Sequence, residues 1–206
     1  RIKQAIEQQE QILIYADRDV DGITSLAILF NTIRTLGGNA VWYIPSDEGY
    51  GISNAVLDRY HKSGIKLIIT VDCGISSVQE VAYANSLQMQ VIVTDHHEPP
   101  IDALPEAYAV IDPKKTDSKY PFKELAGCGI SFKVSQALMQ TYGRDFDKEL
   151  FFAACQKTDD EIKVYVLKVK NEIVIEEQEV CFSAENKNLF NLFFKNKKVF
   201  TIDNGI

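Results

Sequence analysis

Nothing in the 206 residues approaches the roughly 20-residue apolar run that a membrane-spanning helix requires, and the polar start RIKQAIEQQEQ lacks the apolar segment of a secretion signal. A cytoplasmic protein with no membrane partner is the expectation. Cysteine is sparse and scattered: Cys73, Cys128, Cys155 and Cys181 form no C-x-x-C pair, so neither a zinc knuckle nor a disulfide framework is predicted. Reduced, mostly buried thiols are expected instead. There is no internal repeat and no low-complexity tract. Positive charge is also in short supply. With 22 Lys and Arg against 29 Asp and Glu, the net charge of −7 argues against a simple basic surface for nucleic acid. A site that gathers carboxylates around cations would itself bias that count, so charge alone does not settle the partner. The chain starts at Arg1 rather than Met and stops at TIDNGI, which reads as an excerpt of a longer protein.

What is present is an ordinary globular composition, 46% hydrophobic and 25% charged. Five short β-rich runs, QILIYA, AVWYIP, KLIITVD, QVIVTD and AYAVID, alternate with helical patterns such as SLAILFNTIRTLG, SNAVLDRYHKSG and SSVQEVAYANSLQ. Alternation of this kind predicts an α/β fold, a parallel sheet with helices on both faces. From residue 161 the pattern changes: EIKVYVLKVKNEIVIEEQEVCF reads as two strands around a KNE turn, followed by an Asn- and Lys-rich stretch. The predicted organisation is therefore a catalytic domain over residues 1–160 and a β-rich segment over 161–206.

In open parallel sheets, ligands gather beyond the carboxyl ends of the strands. That edge is where YADRDVDGITS places Asp17, Asp19 and Asp21, directly after an apolar strand. Carboxylates so crowded repel one another unless a cation offsets the repulsion. Asp72 ends a second apolar strand in IITVDCGISS, where one carboxylate can bridge two cations, and Gly74 permits a tight turn. VIVTDHHEPP delivers Asp95, His96 and His97 to the same edge, and imidazole beside carboxylate suits Mn²⁺ or a similar first-row ion better than Ca²⁺. Asp112 ends a further strand there. Each loop alone has a structural reading, since Asp after a strand is commonly an N-cap or turn residue. Their joint occurrence on one edge points to a metal site.

Other motifs carry less. His61, near a helix end in DRYHKSG, reads as a surface or capping residue. Gly127 and Gly129 in AGCGIS either let backbone N–H groups approach a phosphate, with Lys133 nearby, or form a tight packing turn. PKKTDSK and KNKKV are short basic clusters that either track a nucleic-acid backbone or are solvated surface.

YADRDVDGITS, VDCGISS, VTDHHEPP and IDPKKTDSKYPFKELAGCGISFKVSQAL resemble, in order and spacing, the motifs of the DHH phosphoesterases. Within that family they are most similar to the exonucleases specific for single strands. The resemblance covers residues 11 to about 145. It implies a phosphoesterase with two ions of Mn²⁺ or Mg²⁺ that degrades single-stranded DNA from the 5′ end, in DNA repair and recombination. A single-strand-binding protein is an implied partner. Carried over by position, Asp17, Asp19 and Asp21 are metal ligands, Asp72 bridges the two ions, His96 ligates one of them, and His97 faces the scissile phosphate. Tyr15 stands where many members carry His, so Asp17 takes a ligand's role. The family's last metal-binding Asp maps to Asp160, with Asp159 as the alternative. No Gly-Gly-His segment of the usual second domain occurs. Rival readings are a phosphodiesterase for short oligonucleotides or cyclic dinucleotides, and a catalytically silent scaffold that binds single strands.

Overall fold

The protein is described here from a computed structural model. It describes residues 1–46 and 51–144 in full and, beyond them, the backbone of 150–157, 161–170, 173–183 and 199–202. The chain divides into two compact units, Arg1–Arg144 and Asp145–Ile206.

In the first unit, a short helix α1 (Ile2–Glu7) precedes strand β1 (Gln11–Ala16). There follow α2 (Val20–Thr35), β2 (Asn39–Tyr43), α3 (Asn54–Lys62), β3 (Leu67–Val71), α4 (Val78–Ser86), β4 (Gln90–Thr94), β5 (Ala109–Ile111) and α5 (Gly127–Thr141). The five strands match the five apolar runs, and all pair in parallel in the order β2-β1-β3-β4-β5. Their side chains alternate between two cores, as the period-2 geometry of a strand demands. Ile12, Ile14, Leu67, Ile69 and Ile92 pack with Ile6, Leu29, Ile33 and Leu138 from α1, α2 and α5. Leu13, Ile68, Val91 and Val93 pack with Leu57, Val81 and Ala84 from α3 and α4. Both faces of the sheet are therefore covered, and the central strands are buried almost throughout and mostly apolar, as buried parallel strands are.

The order 2-1-3-4-5 reverses direction between β1 and β3, which makes the crevice beyond their carboxyl ends the natural ligand site. The ladder also extends into the acidic turns. Asp17 N–H donates to Val71 O (3.2 Å), Asp72 N–H to Thr94 O (3.0 Å) and Asp95 N–H to Ile111 O (3.1 Å).

The second unit is a four-stranded sheet in the order β8-β7-β6-β9. It is built from β6 (Leu150–Lys157), β7 (Glu161–Lys170), β8 (Ile173–Ser183) and β9 (Val199–Ile202). The neighbouring pairs β6/β7 and β7/β8 are antiparallel, whereas β6 and β9 run parallel. The two strands expected after residue 160 are β7 and β8. Their sheet recruits β6 from before that point, so the division between units falls after Arg144 rather than near residue 160.

Candidate metal centre

The acidic turns are held by backbone amides before any cation is considered. Asp17 Oδ1 accepts Arg18 N–H at 2.7 Å. Asp19 is the N-cap of α2, its Oδ1 accepting Gly22 N–H at 2.9 Å. The structural reading of an Asp after a strand is thus correct for Asp19, yet an oxygen with one lone pair bonded keeps another for a ligand. Gly22 is required where it stands, because a Cβ there would overlap the carbonyl of Asp17.

Asp21 does something the sequence did not disclose. Helix α5 has no side-chain cap of its own at Ala126. Asp21 supplies one across space, its Oδ2 accepting Gly127 N–H at 2.8 Å and its Oδ1 accepting Cys128 N–H at 2.7 Å. A carboxylate at a helix N-terminus is favoured both by the unmet N–H groups and by the helix dipole. Of the two alternatives for Gly127 and Gly129, a phosphate cradle or a packing turn, these contacts bear on the second. The amide of Gly127 is bonded to Asp21, and a side chain on Gly129 would strike Leu125, its Cβ lying 2.6 Å from Leu125 Cδ1. Lys133 extends along its own helix, its Nζ 3.4 Å from Gln136 Oε1. The packing-turn alternative is the one these contacts favour.

Asp72 sits at the centre. It is 1% exposed and has a φ of 60°, a left-handed conformation that is unusual outside glycine and that clusters at functional sites. Its pKa is pushed up to about 8, first by burial and then by the charges of Asp21, Asp19 and Asp95, with a hydrogen bond to the Asp19 side chain adding to the rise. Its Oδ1 is buried and receives no aligned hydrogen bond, although His96 Nε2 stands 3.1 Å from it. Such an atom is costly unless something else satisfies it.

Two donor groups converge on Asp72 among the described residues. Asp17, Asp19 and Asp72 offer ligand atoms within 4.8 Å of one another, and so do Asp72, His96 and His97. His96 Nε2 lies 3.1 Å from Asp72 Oδ1 and 3.6 Å from Asp21 Oδ2. One group is all oxygen and the other mixes imidazole with carboxylate, a set suited to Mn²⁺ or Mg²⁺. The orphaned oxygen and the raised pKa are what a cation would relieve, so these residues fit two ions sharing Asp72.

Among the other sequence candidates, His61 is exposed in the last turn of α3, as expected. Tyr15 is buried, its hydroxyl donating to Gly51 O at 3.0 Å. Asp112 is buried at the end of β5, and burial raises its pKa to about 6. Asp159 and Asp160 lie outside the described residues. Lys114 pairs with Glu98 of the loop after β4 at 3.2 Å and Lys115 with Asp117 at 3.5 Å, so two of the three lysines of PKKTDSK have acidic partners.

Comparison with known proteins places the chain in a family. Residues 11–156 match the DHH family, N-terminal domain. The chain belongs to the DHH family. It is similar to the single-stranded-DNA-specific exonuclease RecJ of Bacillus subtilis, 47% identical over 141 residues, which make up 68% of this chain and 18% of that protein. It is also similar to RecJ of Escherichia coli, 44% identical over 144 residues, covering 68% of this chain and 25% of the other. Among solved structures, the crystal structure of exonuclease RecJ bound to manganese superposes with a TM-score of 0.63 at 31% identity, over 69% of this chain and 36% of that one. This DHH chain thus spans about a fifth to a quarter of the length of the curated relatives it matches. No helix among its described residues is long and apolar enough to cross a membrane.

Proposed function

We propose that this DHH chain carries the hydrolytic centre of a RecJ-like exonuclease that degrades single-stranded DNA from the 5′ end. The observation that carries the proposal is the sharing of buried Asp72 by two donor groups, one of carboxylates and one containing His96 and His97. When bound, two divalent ions there supply an acidified water and neutralise charge on a phosphodiester. Asp17 and Asp19 would hold one ion and His96 the other, with Asp72 common to both donor groups. Asp21 steadies the site by joining the start of α2 to the start of α5, with its remaining lone pairs directed to the His96 side. His97, in the same donor group but with a side chain 43% exposed against 27% for His96, is assigned to the substrate in this reading. Asp160 completes the ligand set in this reading.

The choice of single-stranded DNA rests on similarity to proteins named for that substrate, at identities of 44% and 47%. The reading includes a role in repair and recombination, a cytoplasmic setting and a single-strand-binding protein as the partner that keeps the substrate open. Single strands labelled at either end, incubated with Mn²⁺, test it. Release of mononucleotides from the 5′ end is the expected result. Cleavage confined to dinucleotides or cyclic dinucleotides would establish the oligonucleotide phosphodiesterase instead, and binding without cleavage would establish the scaffold.

A further inference from the structure

Asp95 is fully buried at the end of β4, yet it belongs to neither donor group around Asp72. Its oxygens are engaged elsewhere. Oδ2 accepts Ile75 N–H at 2.9 Å. Oδ1 accepts His96 N–H at 2.7 Å and His97 N–H at 3.1 Å, and lies 2.7 Å from His97 Nδ1. Three of these four partners share Oδ1, and one takes Oδ2. An oxygen already accepting two backbone N–H groups meets the ring nitrogen as a further donor. Nδ1 therefore carries the hydrogen, and Nε2 is the nitrogen directed to the site. Ile75 belongs to the turn that begins at Asp72, so the same carboxylate ties the loop after β3 to the loop after β4.

We propose that Asp95 is a positioning residue: it fixes His97 as the Nδ1–H tautomer, presents Nε2 to the substrate, and clamps the ring to the loop bearing Asp72. Without that carboxylate the ring is able to turn about its side-chain bonds and to exchange its two nitrogens at the site. Groups that orient a functional imidazole from behind govern its tautomer and basicity, and their loss typically costs 10–100-fold in affinity or activity. The consequence for turnover rests on the hydrolytic reading above. The state of the ring does not.

Nitrogen NMR of the metal-free full chain with labelled histidine, at a pH where imidazole is neutral, reads each ring's tautomer directly, and the spectrum of His97→Gln assigns the signal. His97 is expected as the Nδ1–H form. Asp95→Asn has an amide that matches only one side of this web of donors. It should lose the tautomer preference and lower kcat on single-stranded DNA by on the order of tenfold or more, with KM changed by less than about threefold. An Nε2–H ring in the unaltered chain would overturn the inference, and that result needs no variant to fold. A folded Asp95→Asn protein that keeps the Nδ1–H ring would overturn it equally. An Nδ1–H ring that Asp95→Asn abolishes, in a protein that hydrolyses no single strands, would uphold the role of Asp95 and count against the functional reading alone.

Discussion

Gly127 and Asp72 are 55 residues apart in sequence, yet a Cβ on Gly127 would lie 2.5 Å from Asp72 Oδ1 and 2.8 Å from both its Cβ and its Cγ. The start of α5 is pressed against the carboxylate that the two donor groups share, and only glycine allows it. Gly127→Ala should therefore displace Asp72 or push α5 away, at about 1–3 kcal/mol as overpacking usually costs. Thermal melting and Mn²⁺ titration check this together. Mn²⁺ affinity is expected to fall by more than the loss of stability alone explains.

The raised pKa of Asp72 makes a prediction about pH in the absence of metal. A carboxyl near 8 in the folded chain and near its ordinary 3.8 in the unfolded chain binds its proton more tightly when folded. Between those values the folded state holds the additional proton, so stability falls as pH rises from about 4 to about 8. In chelator, unfolding free energies of the normal chain should decline across that window relative to those of Asp72→Asn. The gap is expected on the order of a few kcal/mol and should flatten above pH 8. Saturating Mn²⁺ should abolish the decline in the normal chain, because the cation takes the place of the proton.

The two neighbouring histidines should fail differently. His96 Nε2 lies within 3.6 Å of both Asp72 and Asp21, whereas His97 is held through Nδ1 by Asp95 and is the more exposed ring. His96→Ala is expected to weaken Mn²⁺ binding and to recover in part with excess metal. His97→Ala should bind metal nearly normally while losing on the order of a hundredfold in turnover that Mn²⁺ does not restore. Calorimetric metal titration beside hydrolysis at several Mn²⁺ concentrations separates the two, and equal affinity with equal rescue would contradict the assignment.

The sheet and the carboxylate edge were legible because their signals are local. Apolar runs such as LIITV and QVIVT end in Asp, and strand-end residues of a parallel sheet fall on one edge whatever the strand order. RIKQAIE has apolar residues at helical spacing, Ile2, Ala5 and Ile6, but at six residues α1 is too short for periodicity to announce it. FFAACQK has an apolar run that helix and strand share equally, and pairing with Glu161–Lys170 and Val199–Ile202 makes it β6. The contacts of Asp21 with the start of α5 and of Gly127 with Asp72 span 106 and 55 residues and leave no periodic trace. Asp95 did have a local signal, the D-x-H spacing that lets a carboxylate reach a ring two residues on. The same spacing equally suits a metal motif, which hides the carboxylate's part behind the ring.

The amides of Asp17, Asp72 and Asp95 each continue the ladder by one rung beyond their strands. The site is thus graduated by the sheet itself, and the turns that bear its ligands begin at intervals of about 4.8 Å, the pitch of neighbouring strands. A ruler of hydrogen bonds does not stretch to suit a larger ion. Discrimination between cations of different radius falls to side-chain torsions and to the turn at Asp72, whose left-handed backbone leaves the ruler's line.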